Sequence, residues 1–144
     1  MCPRLPEHLR RPAEAVIRGW WHGPLTPVPG MAELVEELKK LGYHIYLLSN
    51  ASSSLHAYFP RIPGHEFFDG EIVSGDWKML KPHREIFELL YRNYDLDPAE
   101  CLFIDDVPAN IDGAAQTGMD GIVFLEDIAR LRRELNALGI PVRQ

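Results

Sequence analysis

Cys101-Leu102-Phe103-Ile104-Asp105-Asp106, followed by Val107-Pro108-Ala109-Asn110-Ile111-Asp112-Gly113-Ala114-Ala115, is the stretch on which the reading of the chain turns. A wholly apolar run of this length, ending in two acids and then a helix-opening turn, has the pattern of a strand buried on both faces. Its carboxyl end carries two adjacent carboxylates, which repel each other unless a cation or a proton joins them. A single aspartate there could serve only to cap the helix near Asn110. Two side by side fit a divalent-ion site, because Mg²⁺ takes carboxylate oxygens and keeps the rest of its shell for water or phosphate.

The same rhythm recurs on both sides of this strand. Gly30 precedes an expected helix striped by Leu34, Val35, Leu38 and Leu41, with Glu36 and Lys40 paired on its outer face and Gly42 as its stop. Tyr43 to Leu48 reads as a strand that breaks off at Ser49-Asn50, followed by a short helix around Ser54 to Phe59 and a turn-rich stretch over 60–64. Gly70 to Ser74 reads as the next strand. Pro82 opens a helix with Ile86, Phe87, Leu90, Tyr91 and Tyr94 on one face, since proline's missing amide is harmless in the first turn. After Cys101 to Ile104 come a helix over 110–117 that ends at Gly118, a strand over 121–124, and a last helix capped by Asp127 and striped by Ile128, Leu131, Leu135 and Leu138. This alternation predicts an α/β fold, a Rossmann-like parallel sheet with helices on both faces and its ligand site beyond the carboxyl ends of the strands.

The segment before Gly30 differs. Pro12 to Trp21 has a helical pattern, and Gly23-Pro24-Leu25-Thr26-Pro27-Val28-Pro29 is a stiff connector rather than a strand. It reads as the end of another module.

Composition narrows the function classes. With 144 residues, 46% of them hydrophobic, the chain suits a single domain with a real core. A net charge of −6 disfavours nucleic acid, whose binders carry a basic face, and points to small molecules or proteins as partners. Two cysteines, Cys2 and Cys101, do not make a disulfide framework; Cys101 reads as plain core, and a reducing, cytoplasmic setting follows. No apolar run reaches the ~18 residues of a membrane span, and the first residues contain no hydrophobic signal region.

Read as chemistry, the strand ends assemble the parts of a phosphoryl site. Ser49 offers a hydroxyl and the amides after it, Lys81 a positive charge, and Asp106 a seat for a metal that neutralises further oxygens. In order, spacing and structural context, Leu47-Leu48-Ser49-Asn50, then Lys81-Pro82, then Phe103-Ile104-Asp105-Asp106 with Asn110 and Gly118-Met119 resemble motifs two, three and four of the haloacid dehalogenase (HAD) superfamily. The nearest likeness is to its sugar-phosphatase-like branch, which includes α-D-glucose-1-phosphate phosphatase and the N-terminal phosphatase domain of soluble epoxide hydrolase. The resemblance runs from about Val28 to Phe124. It implies that Ser49 binds the phosphoryl group, Asn50 contacts substrate, Lys81 steadies the nucleophile and the transferring phosphate, and Asp106 ligates Mg²⁺ directly with Asp105 behind it. The substrate it implies is a small phosphorylated metabolite.

The chain departs from that family at its start. HAD phosphatases open with an apolar strand ending in Asp-x-Asp, the first aspartate the covalent nucleophile and the second the general acid and base. Asp95-Leu96-Asp97 follows a helix and precedes Pro98, so it reads as a loop and cap instead. The resemblance therefore makes 1–27 the C-terminal remnant of a helical cap, Trp20 and Trp21 packing within it, and 28–144 a partial HAD core that lacks the family's first, central strand. Such a gap must be filled by something else or closed by its neighbours; unpaired edges there would favour self-association or strand complementation. The expected function is that of a Mg²⁺-dependent HAD phosphatase working through an aspartyl-phosphate in the complete protein, with this chain inactive alone. The alternative is a non-catalytic HAD-like binding module; a dehalogenase is disfavoured because those relatives use no metal and have a Ser-Asn type sequence where Asp105-Asp106 stands. His56, His65 and His83 lack metal-ligand spacing, and Lys78 reads as a solvated neighbour of Lys81.

Overall fold

The computed structural model describes residues 29–144 and, ahead of them, the backbone of three short strands, Glu14–Ile17 (β1), Trp21–His22 (β2) and Thr26–Pro27 (β3). The elements that follow are α1 (Met31–Lys40), β4 (His44–Ser49), α2 (Leu55–Tyr58), β5 (Gly70–Val73), α3 (Ser74–Trp77), α4 (Arg84–Tyr94), β6 (Cys101–Asp105), α5 (Pro108–Gln116), β7 (Asp120–Val123) and α6 (Ile128–Ala137). Five strands form one parallel sheet in the order β5-β4-β1-β6-β7, and β2 pairs with β3 antiparallel.

Strict alternation along the strands feeds two cores. Ile45 and Leu47 of β4, with Leu102 and Ile104 of β6, join Met31, Leu34, Val35 and Leu38 of α1 and Leu131 and Leu135 of α6 on one face. Tyr46 and Leu48, with Cys101 and Phe103, join Ile86, Phe87 and Leu90 of α4 and Ala114 of α5 on the other. That two-sided burial is why these strands read as continuous apolar runs. Asp127 accepts a hydrogen bond from Arg130 N at 3.0 Å as the expected cap of α6, and Glu36 meets Lys40 at 2.8 Å on α1. Leu41, expected in the α1 stripe, is the cap residue after the helix and is 42% exposed. Pro82 lies two residues before α4, whose cap position is His83.

The central strand is the principal correction. Glu14–Ile17 was expected in a helix and in a cap remnant; it is β1, parallel to both β4 and β6, with Glu14 opposite His44 and Cys101 and Ile17 opposite Leu47 and Ile104. Two facing strand edges present a full set of backbone donors and acceptors, so pairing overrides a local helical pattern. The sheet thus draws on residues before 28, and the expected boundary at 27 does not separate cap from core. With both flanking edges paired, the gap on which self-association was to rest is filled. Trp21–His22 and Thr26–Pro27, expected as the end of a helix and as part of a connector rather than a strand, pair as β2 and β3; the rest of the expected cap, and the packing of Trp20 and Trp21, lie outside the described residues.

Beyond the carboxyl end of β5, a surface histidine ties three elements together. His56 on α2 places Nδ1 3.1 Å from Glu71 Oε1 of β5 and Nε2 2.6 Å from Asp76 Oδ2 of α3. The hydrogen bond to Asp76 raises the histidine pKa above its ordinary value, the charges of Asp76 and Glu71 reinforce this, and partial burial opposes it. A raised folded-state pKa means that this contribution is complete below the unfolded value of about 6.5 and is lost as pH rises through the folded value. Asp76, whose pKa is lowered mainly by the same bond, contributes above its own unfolded value and loses it in acid. Following the His56 ring protons by NMR should therefore give a midpoint above that of an unstructured histidine. Asp76→Asn should bring it down, and an unmoved midpoint would refute the pairing.

Candidate functional site

Ser49 closes β4 and is buried, and Asp105 closes β6 with no exposed surface; because β1 lies between them, the two strand ends stand about 10 Å apart across it. Asp106 follows Asp105 and is exposed. Lys81 arrives from the loop between α3 and α4, and its side chain and that of Asp105 are both completely buried. Its ammonium donates to Asp105 Oδ2 at 2.7 Å and to the carbonyl of Leu48 at 2.9 Å, and stands 5.4 Å from the centre of the Phe103 ring. Asp105 is further engaged through Oδ1 by Val107 N at 2.8 Å, and Asn110 Nδ2 lies 3.3 Å from each of its oxygens. Buried opposite charges persist only when paired and hydrogen-bonded in this way.

The structure thus joins Lys81, Asp105 and Asn50 by direct bonds and sets Ser49 at the end of β4 and Asp106 just past the end of β6, on either side of β1. Asn50 engages the main chain of Lys81: its Oδ1 accepts from Lys81 N at 2.9 Å and its Nδ2 donates to Lys81 O at 3.1 Å. Of the amides after Ser49, that of Ala51 is taken by Ser74 Oγ at 2.9 Å, which in turn donates to Ala51 O at 3.0 Å. Gly75 N also donates to Ala51 O, at 2.8 Å.

Several contributors went unrecognised in the sequence. Ser74 gives no signal there, since a serine after a strand is most often a turn residue. Gly113 does give one: glycine inside a helix is unfavourable by roughly 0.5–1 kcal/mol relative to alanine, so it marks a close approach. A Cβ at Gly113 would lie 2.5 Å from Pro82 O and 2.8 Å from Pro82 Cβ, so α5 meets the residue after Lys81 nearly backbone to backbone. A Cβ at Gly75 would lie within 2.9 Å of backbone atoms of residues 51–53, which brings α3 equally close to the loop after Ser49.

Among the described residues no group of three or more His, Cys, Asp or Glu side chains converges on a point that could hold a metal. Asp105 is committed to Lys81, Val107 and Asn110. Asp106, next to it, is the exposed carboxylate at this strand end. His65 Nδ1 lies 3.6 Å from Glu66 Oε1, His83 is the exposed cap residue of α4, and Lys78 is exposed in a left-handed turn with φ 56°. Asp95 and Asp97 lie after α4, where Asp97 caps the turn Pro98–Glu100 by accepting from Ala99 N.

A family model described as haloacid dehalogenase-like hydrolase matches residues 5–118. The chain is similar to a sesquiterpene phosphatase of Aspergillus oryzae, 31% identical over 108 residues, which cover 74% of this chain and 55% of that protein. It is also similar to a glyceraldehyde 3-phosphate phosphatase of Pyrococcus abyssi, 28% identical over 69% of this chain and 43% of that one. Among solved structures, a HAD-family enzyme of Bacteroides thetaiotaomicron in complex with magnesium and inorganic phosphate superposes with a TM-score of 0.61 at 28% identity, over 69% of this chain and 54% of that one. The chain spans about half the length of the curated relatives it matches.

Proposed function

The chain belongs to the haloacid dehalogenase-like hydrolase family, and from that premise we propose that it is the phosphate- and metal-binding portion of a Mg²⁺-dependent phosphatase of small phosphomonoesters. The observation that carries this reading is the buried Lys81–Asp105 pair, set between the strand ends that hold Ser49 and Asp106. Ser49 supplies a hydroxyl to a phosphoryl oxygen. The Lys81 charge, shielded from water, acts on a dianionic group far more strongly than an exposed lysine would. Asp105 holds that ammonium in place and leaves Asp106 as the carboxylate facing Mg²⁺, which when bound would offset charge on phosphoryl oxygens. The acidic net charge, and the absence among the described residues of a helix long and apolar enough to cross a membrane, support a small metabolite as ligand and the cytoplasm as location.

A second reading, a non-catalytic HAD-like module, is favoured by one observation. The central slot is occupied by Glu14–Ile17, and the chain continues as Arg18-Gly19-Trp20, without an aspartate where the family's nucleophile belongs. Positioning and charge without a nucleophile and a general acid forgo several orders of magnitude in rate. This chain should accordingly show no turnover of a generic aryl phosphate with Mg²⁺, and a longer chain carrying an upstream Asp-x-Asp strand should show turnover that Asp106→Asn abolishes. Turnover by the 144-residue chain itself, sensitive to Asp106→Asn, would mean that the nucleophile lies within it. An inactive longer chain that contains Asp-x-Asp would establish the binding module instead.

A further inference from the structure

Asn50 spends its side chain on the backbone of Lys81. Its carbonyl oxygen accepts the Lys81 amide hydrogen at 2.9 Å and its amide nitrogen donates to the Lys81 carbonyl at 3.1 Å, closing a ring of two hydrogen bonds around one residue 31 positions away. We propose that Asn50 is a positioning residue, which fixes the main chain at Lys81 and thereby the place of the buried ammonium, rather than a group that touches substrate. The inference rests on the reading of Lys81 as the site's positive charge.

Three observations support it. Leu80, Pro82 and His83 around Lys81 are all exposed, so this is a surface loop that must deliver one side chain into the interior. The lysine stem is long and flexible, and its Nζ nevertheless meets Asp105 Oδ2 and Leu48 O within 2.9 Å, which requires that the Cα be held. The loop is fixed on its other side as well, where Pro82 abuts Gly113 of α5. The chemistry of the bracket is also selective: a short primary amide carries a donor and an acceptor side by side, matching one residue's C=O and N–H. A carboxylate offers acceptors only and would oppose the Lys81 carbonyl.

The test is hydrogen exchange at the Lys81 amide, read by NMR as protection relative to the unstructured rate. Asn50→Ala should lower that protection about tenfold or more, the usual consequence of removing one hydrogen bond, while amides of β7 and α6 keep theirs. Asn50→Asp should show low protection when the introduced carboxyl is ionised and regain it on acidification, because the protonated acid again presents one donor and one acceptor. A merely structural filler at this position would give no such pH-dependent recovery, and the Asn50→Asp comparison decides the matter even where Asn50→Ala fails to fold. Unchanged Lys81 protection in Asn50→Ala, or an Asn50→Asp protein whose Lys81 protection ignores pH, overturns the inference. Inorganic phosphate titrated into the same samples with Mg²⁺ keeps the two readings apart. Weaker phosphate binding with wild-type Lys81 protection would return Asn50 to substrate contact. A wild type that binds no phosphate would count against the proposed function while the exchange data still decide the role of Asn50.

Discussion

Lys81→Met should destabilise the chain by about 3–5 kcal/mol, the range seen when one partner of a buried ion pair is removed and the other is left behind. Methionine replaces most of the volume of the stem, so the loss is electrostatic rather than a cavity effect. Asp105, with no exposed surface, would retain Val107 N and Asn110 Nδ2 but lose the Lys81 ammonium. A domain of this size has about 5–15 kcal/mol of stability in total, so the urea midpoint should fall by a large fraction. Adding Asp105→Asn to Lys81→Met should recover much of it, since a neutral amide oxygen can still accept from Val107 N without a buried charge. A double variant as unstable as the sum of the two single ones would show that the pair is not coupled.

Phe103→Ala is expected to be comparably severe, about 3–5 kcal/mol, for a different reason. Phe103 is fully buried in β6, meets Phe87 of α4 edge to face at 5.6 Å between ring centres, and lies beneath the Lys81 ammonium. Truncation opens a cavity at the point where the α4 side of the core meets the site. Phe103→Leu separates the contributions: it restores most of the apolar volume but offers neither the T-shaped partner nor the π face, each worth on the order of 1 kcal/mol. Thermal melts of the two variants should therefore place Phe103→Leu well above Phe103→Ala and still below wild type. Equal melts for the leucine variant and wild type would show that volume alone matters at this position.

The parallel architecture was legible because β4 and β6 are buried on both faces and declare it in unbroken apolar runs, and the helices between them carry clear stripes. Glycine at 42 and 118 and aspartate at 127 marked helix limits through well-defined backbone chemistry: both glycines have positive φ, and Asp127 accepts the expected bond. Glu14–Ile17 was not legible, because a four-residue strand has too little pattern to compete with a helical reading and owes its state to partners far along the chain. At the strand ends, the acids and Lys81 stood out by type and order, and the structure bonds Lys81 to Asp105. The bracket from Asn50 and the bridge from Ser74 did not stand out, because a side chain that bonds to distant backbone leaves no periodic trace.

The order of strands in the sheet also bears on how the chain acquires its shape. β4 with β5, and β6 with β7, are each joined by a single helical crossover, so each pair can close as a local unit at modest loop entropy. β1 pairs locally with β4 across the α1 crossover, but its register with Cys101–Ile104 cannot form until that distant strand exists. β1 is thus the strand through which the two pairs meet, and the Lys81–Asp105 bond, which links one pair to the other at the strand ends, can close only once both are in place.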